Sequence, residues 1–424
     1  MQSNYNNKNP KLTIAYLAWA SVALFYFYQY ILRVSPGVMI EEIRHDFSIN
    51  ADQFATLGSF YLYAYSLFQI PLGIIVDRIG VRRTILASII LCLGGTLLMA
   101  SAKIFFIAQL SRIIIGIGSG CAFMCSLKIV ADCLPIGHRG FFMGATLTLG
   151  TLGALFAGKP LVYFLDDLGW RSTMTYTALF GIPLILFAAL FIPKPPKNNP
   201  SSATQELKSI GQNILTIIKN NRILLYAFLA VGLYAPLSAL ADLWGTAFIM
   251  QKYGLLRAQA AHTTMMMYVG LAAGSLIMPW ICEKYNFLDR TIQFCGFGII
   301  ILFSVLLYGP ILSTTSLTLL LIALGFFCGA EMMCFTGALL YSHPSNSGLT
   351  IGIVNTFNML GGALLQQFIG YSLDFNWTGL LDETGIRIYE SHHFTLAFSI
   401  LTIIITICCL ASLRLAKKKQ KITV

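Results

Sequence analysis

Apolar residues run along this chain in long unbroken blocks, without the alternation of a half-buried strand or the one-faced period of a surface helix. Blocks of spanning length, separated by charged or Gly/Pro-containing breaks, fall at about 13–34, 54–76, 84–102, 104–128, 140–162 and 173–192. A polar stretch opens at Pro193-Lys-Pro-Pro-Lys and continues as an amphipathic portion to Arg222. Six further blocks follow at about 223–247, 260–280, 291–310, 316–340, 348–370 and 394–413. About 20 apolar residues cross a bilayer as a helix. The pattern therefore predicts an all-α membrane protein of twelve spans: a six-helix bundle over 1–192, a linker over 193–222 and a second six-helix bundle over 223–424.

Composition agrees. Of 424 residues, 57% are hydrophobic and 11% charged, whereas soluble domains carry about 25% charged residues. A cytosolic enzyme, a secreted scaffold and a disordered chain are excluded. The ten cysteines lie inside apolar blocks with no His at metal spacing, so they read as packing residues. Residues 1–12 are polar and Asn-rich, so the first helix is expected to be retained and not cleaved as a leader.

The net charge of +11 reports topology. Eighteen of the 28 Lys and Arg residues fall at the termini, in the linker and in the loops that share their side, six fall in the opposite loops, and four lie within spans. By the positive-inside rule both termini are cytoplasmic. Nucleic acid is not an expected partner; the lipid bilayer is. The two halves also overlay at an offset of about 206 residues, which sets Asp77-Arg78 onto Glu283-Lys284. Such parallel repeats place a substrate site between the halves in one established transporter plan.

After span two the chain reads Gly73-Ile-Ile-Val-Asp77-Arg78-Ile-Gly80-Val-Arg82-Arg83. A positive-inside turn explains the arginines and Gly80, but not a carboxylate at the unfavourable end of an apolar helix. This segment resembles the signature loop of the major facilitator superfamily, and the six-plus-six layout extends the resemblance over the whole chain. The resemblance implies that Asp77, Arg78 and Arg82 serve the conformational switch, with Gly73, Gly80 and Arg83 in the same loop. The second copy, Pro279-Trp-Ile-Cys-Glu283-Lys284, lacks the following Gly-x-Arg-Arg. In span four, Arg112-Ile-Ile-Ile-Gly116-Ile-Gly118-Ser-Gly120 is similar to a second family motif, with Gly116 and Gly120 on one face for a close neighbour. Gly150, Gly153 and Gly158 before Pro160 lack the Gly-Pro pattern of the superfamily's drug antiporters, which favours uptake over export. At a narrower level, Tyr28-Gln29-Tyr30-Ile-Leu-Arg33-Val-Ser-Pro36 is similar to the first helix of the intraphagosomal amino-acid and nucleoside uptake transporters, and related organic-anion carriers begin similarly.

An ionisable group at the centre of a span costs about 2.5–3.5 kcal/mol, so each one present is a functional candidate. These are Arg33, Arg112, Lys128, Asp242 and Glu331, with Lys159 expected to snorkel. Arg33 shares a helix face with Tyr26 and Tyr30, and Asp242 shares one with Tyr234 and Ser238; under the repeat these faces approximately coincide. Cys125 and Lys128 map in the same way onto Glu331 and Cys334. The resemblance implies that spans one, four, seven and ten line a central cavity. Two gates of opposite charge are expected: Arg33 with Asp242, joined by Arg112, on the outer side, and Lys128 with Glu331 on the inner side. The alternative is that these charges are solvated separately and only set the potential of a water-filled cavity.

Between these layers lie polar stripes of Tyr61, Tyr65 and Gln69 in span two and Asn355, Asn358, Gly362 and Gln366 in span eleven. They are read either as substrate contacts or as helix–helix hydrogen bonds. Cations exceed acids within the spans, which predicts a small carboxylate-bearing or zwitterionic substrate: an amino acid, a short peptide or an organic anion. Asp242 and Glu331 are the only spanning carboxylates, so protons are the expected coupling ion. Proton antiport of drugs or siderophores and uncoupled facilitation remain alternative functions. No phosphate-cradling loop indicates ATP, and no metal, cofactor or catalytic constellation is expected, so neither an intramembrane enzyme nor a sensor is favoured. A monomer in a bacterial inner membrane is the expected setting.

Overall fold

The computed structural model describes residues 10–193, 203–285, 287–343 and 346–413; the side chains of Asp77 and Glu283 lie outside that description. Eleven helices are long and apolar enough to cross a membrane, and one of them, Gly137–Phe191, runs for 55 residues. At about 1.5 Å per residue it would exceed twice the ~30 Å hydrocarbon core. It is not one rod. Gly169 takes a φ of 74°, and the Thr173 hydroxyl donates to the Phe164 carbonyl at 3.1 Å, nine residues back. A straight helix would hold those positions about 13 Å apart. Spans five and six therefore meet at Gly169, and the chain crosses twelve times.

The other spans are Leu12–Val38, Ala51–Val76, Val81–Ser101, Phe105–Cys133, Asn221–Tyr253, Arg257–Cys282, Leu288–Tyr308, Thr314–Leu339, Ser347–Phe375 and Ser391–Ser412. Spans four and ten both break in mid-course, after Ser119 and after Cys328. Their starts, Phe105 and Thr314, lie 209 positions apart, as do Arg33 and Asp242. The offset of 206 holds for spans two and eight, which start at Ala51 and Arg257. In spans four and ten it must be corrected: Ala122, not Cys125, is the mate of Glu331, and Cys125 is the mate of Cys334.

Glycines allow the closest approaches. A Cβ on Gly270 or Gly274 of span eight would collide with the backbone of span ten, and one on Gly325 or Gly329 with the backbone of span eight. Gly116 and Gly120 do share a neighbour: Gly116 meets the Tyr61 carbonyl of span two, and Gly120 meets Leu72 and Tyr65 of the same span. Such seams replace the hydrophobic drive that is missing between helices in lipid.

The two halves meet where spans two and eleven pack together and where spans five and eight do. At the end of the bundle away from the termini, polar groups also bridge them. Arg257 pairs with both Glu42 and Asp166. The Asp52 amide donates to Asp374 at 2.8 Å, Gln367 donates to the Asp52 carboxylate at 2.6 Å, and Arg44 donates to the Arg387 carbonyl at 2.8 Å. Arg44 and Tyr389 sit beneath this surface. Burial pulls the Arg44 guanidinium below its usual pKa, while burial and a hydrogen bond to Asp374 push the Tyr389 phenol up. Partly exposed pairs such as those of Arg257 contribute at most about 1 kcal/mol each. Arg257→Gln is therefore expected to lower the melting temperature by no more than about 5 °C in a detergent thermal-shift assay, with uptake retained.

Candidate substrate site

Span seven has the least regular backbone at the site. Pro236, which lacks an N–H, is followed by a π-helical stretch, Leu237–Trp244, that returns to α-helix at Gly245. Such widened turns recur at functional sites. This one presents Asp242 to span one. Asp242 Oδ2 accepts hydrogen bonds from Arg33 Nη2 at 2.6 Å and Nε at 3.2 Å, and from the Tyr234 hydroxyl at 3.0 Å. The Tyr268 hydroxyl of span eight donates to Oδ1. The Arg33 guanidinium lies 5.6 Å from the centroids of both the Tyr30 and Tyr234 rings. All five side chains are buried or nearly so. The structure thus brings Arg33 and Asp242 together across the halves.

Arg112 does not join that pair. Its Nε donates to the Leu57 carbonyl at 2.7 Å, Nη1 to Leu32 at 2.7 Å and Nη2 to Arg33 at 3.2 Å, with its guanidinium 4.8 Å from the Tyr61 ring centroid. Its donors tie three backbone carbonyls of spans one and two, so it positions Arg33 and has no bond to Asp242.

The expected inner pair is also absent: Glu331 makes no ion pair among the described residues, and Lys128 is half-buried on span four. The 209-residue register explains why, because Lys128 falls opposite Gly337 and not near Glu331. Glu331 begins the second segment of span ten, where a carboxylate suits the helix N-terminus. Asn358 is its neighbour, and Arg33 and Asp242 are within electrostatic reach. Glu331 Oε2 and both polar atoms of the Asn358 amide are buried without a hydrogen-bond partner.

The polar stripes divide. Asn355 donates to Gln69 at 2.7 Å and Gln366 donates to the Ser238 carbonyl at 2.9 Å, which are helix–helix bonds. Tyr61 donates to Gln29 at 2.8 Å and stacks on Tyr65, and the Tyr26 and Tyr30 hydroxyls lie 3.4 Å apart. Asn358 alone of the stripe keeps an entirely unpartnered amide. Tyr268 escaped the sequence reading, and Gln29 entered it only as part of the span-one motif, not as a site residue. Tyr268 lies 207 positions after Tyr61, so the repeat carried a signal for it, hidden inside the block Met-Met-Met-Tyr.

In the loop after span two, Gly80 takes a φ of 84° and ends the helix. Arg82 donates to the carbonyls of Ala189 and, at 3.1 Å, Ile192, where a cation suits the C-terminal end of span six. Gly73 faces Met124, Arg78 and Arg83 are exposed, and the Asp77 side chain lies outside the described residues. Toward the Arg44 end a cavity of about 570 Å³ lies over Trp244, lined also by Arg44, Trp170, Gln251 and Tyr389. No metal site is expected from the sequence, yet Glu390, His392 and His393 place ligand atoms within 4.8 Å of one another. One His393 nitrogen is already used by the Glu390 amide in the helix cap, at 2.9 Å.

The two halves, the broken spans and the paired charges between them form a carrier architecture. A family model of the Major Facilitator Superfamily matches residues 19–366. The chain belongs to this superfamily. This Major Facilitator Superfamily protein is 22% identical over 385 residues to the cis,cis-muconate transport protein of Acinetobacter baylyi, a match covering 87% of this chain and 90% of that one. It is 26% identical over 190 residues to a probable sulfoacetate transporter of Cupriavidus necator, covering 45% of this chain and 44%, less than half, of that protein. Its fold matches a bacterial homologue of the human lysosomal transporter Spinster, captured inward-facing and unoccupied, with a TM-score of 0.75, 18% identity and coverage of 98% and 100% of the two chains. It is a multi-pass membrane transporter and not an enzyme.

Proposed function

We propose that this transporter moves a small carboxylate-bearing or zwitterionic solute by alternating access, as proton-coupled uptake across a bacterial inner membrane with both termini cytoplasmic. The observation that carries the reading is the buried Arg33–Asp242 pair, in which a guanidinium of one half already holds a carboxylate of the other. A substrate carboxylate would compete for the same donors. Protonation of Asp242 would release Arg33, and a partly desolvated pair is weak enough to open in each cycle. The bridges from Arg257 to Glu42 and Asp166 and from the Asp52 amide to Asp374 fit a state closed on that side. The relatives' names support an anionic group on the substrate. Both halves lie in one chain, and a monomer suffices for the cycle. The switch loop from Gly73 to Arg83 would act at the opposite side.

The test is a thermal-shift screen of the purified protein against amino acids, peptides, nucleosides and organic acids, followed by counterflow in proteoliposomes with and without a pH gradient. Stabilisation and counterflow by carboxylate-bearing solutes, accelerated by an inward proton gradient, are expected. Binding confined to neutral or cationic solutes would defeat the reading.

A further inference from the structure

The cavity of about 570 Å³ over Trp244 is lined by both halves: by the helix Ile40–Phe47 and Trp170 from the first, and by the end of span seven and residues 382–389 of the last outer loop from the second. It is a separate space from the lock, since none of Arg33, Tyr234, Asp242 and Tyr268 lines it. Trp244 is fixed beneath it, buried, with its indole N–H on the Gln366 carbonyl at 3.2 Å.

The charges around this cavity are unequally served. Of the acids that line it, Glu42 pairs with Arg257, Asp46 pairs with Arg171 and accepts from the Trp170 indole, and Asp382 accepts three hydrogen bonds within its own loop. Glu41 is exposed. Arg387 pairs with Asp374. Arg44 is the exception: it is 8% exposed, yet it makes no ion pair among the described residues. Its Nη2 donates to the Arg387 carbonyl at 2.8 Å, its Nε is buried without a partner, and its guanidinium lies 4.7 Å from the Tyr389 ring centroid. One carbonyl and one ring face leave most of the five donors and the whole charge without a counterpart. Orphaned buried donors are uncommon and call for a partner.

Size and wall chemistry specify that partner. The volume lies in the range of small-molecule sites, about 300–1,000 Å³, far more than a halide fills. Trp170, Trp244, Ile388 and Phe394 supply apolar wall, and a planar guanidinium matches the two oxygens of a carboxylate. We infer that this cavity is a second binding site, for an organic acid that carries one carboxylate on an apolar body, with the carboxylate on Arg44 and the body against Trp170 and Trp244. The site is independent of the solute that the lock handles.

The test uses cyclohexanecarboxylate as the probe, with cyclohexanecarboxamide and chloride as controls, on the full-length protein in chloride-free buffer. Tryptophan fluorescence reads the binding, because two of the five tryptophans line the cavity. The carboxylate is expected to bind on the order of tenfold or more tighter than the carboxamide. Arg44→Gln should erase that preference. Ala247→Phe fills the cavity and keeps Arg44; it should weaken carboxylate binding by a similar factor and decides the matter if Arg44→Gln does not fold. Arg33→Gln combined with Asp242→Asn disables the lock and should leave the binding intact. Carboxylate binding that disappears in this double variant but persists in Arg44→Gln or Ala247→Phe would place the probe at the lock and overturn the proposal. Equal binding of the carboxamide, a response to chloride as large as that to the carboxylate, or no binding at all would also overturn it.

Discussion

Arg33→Gln is expected to abolish uptake and to lower the melting temperature sharply, while Arg33→Gln combined with Asp242→Asn recovers much of the stability and none of the uptake. The single change leaves a carboxylate 2% exposed and stripped of its cation. Breaking a buried pair from one side costs about 3–5 kcal/mol, because the remaining charge is uncompensated. The Tyr234 and Tyr268 hydroxyls still donate to Asp242, which places the loss toward the lower end of that range. Removing both charges removes the penalty. The two effects should therefore be strongly non-additive, the signature of groups in direct contact. Purified variants compared by thermal shift and by proteoliposome uptake give both readouts. A double variant whose destabilisation equals the sum of the two singles would show that the residues do not depend on each other.

Arg112→Met should damage folding more than transport chemistry. Its guanidinium is 1% exposed and satisfies the carbonyls of Leu32, Arg33 and Leu57. Each buried acceptor left without a donor costs about 1–3 kcal/mol, so removing all three donors should cost several, comparable with the whole margin of a typical domain. Lysine keeps the charge but lacks the planar fork that reaches three separated oxygens. Arg112→Lys is expected to fold with reduced stability and reduced uptake, and Arg112→Met to yield little monodisperse protein in size-exclusion chromatography. A well-folded Arg112→Met protein with an unchanged melting temperature would contradict the brace.

The twelve crossings were legible because a helix in lipid must be apolar for its full length, and the block pattern records that requirement directly. The Arg33–Asp242 contact was legible for a related reason: a charge in a span is costly enough to demand a partner, and the repeat pointed to which one. The Lys128–Glu331 expectation did not hold, because one offset was applied to every span. Spans two and eight keep 206 positions between their starts and spans four and ten keep 209, and three residues displace a side chain by about 4.5 Å along the helix axis. Arg112 misled differently. A buried arginine reads in sequence as a charge seeking a charge, but its five N–H groups can be satisfied by backbone carbonyls, which leave no mark on the composition. The π-helical turn between Pro236 and Gly245 was invisible for a similar reason: it depends on where neighbouring spans pull the backbone, and the letters Leu-Ser-Ala-Leu-Ala-Asp-Leu-Trp suit an α-helix equally well.

Opening at the Arg33–Asp242 end is measured most directly by spin-label distances between Glu41→Cys and Gln251→Cys, two exposed positions on opposite halves at that end. Nine of the ten native cysteines are buried and Cys133 is half-buried, so labelling should favour the introduced pair. In the unliganded protein with Asp242 intact, a single short separation is predicted. With Asp242→Asn added, a second, longer population should appear, because the lock between spans one and seven has lost its charge. An unchanged distance distribution in the Asp242→Asn protein would contradict a role for this pair in closing the carrier.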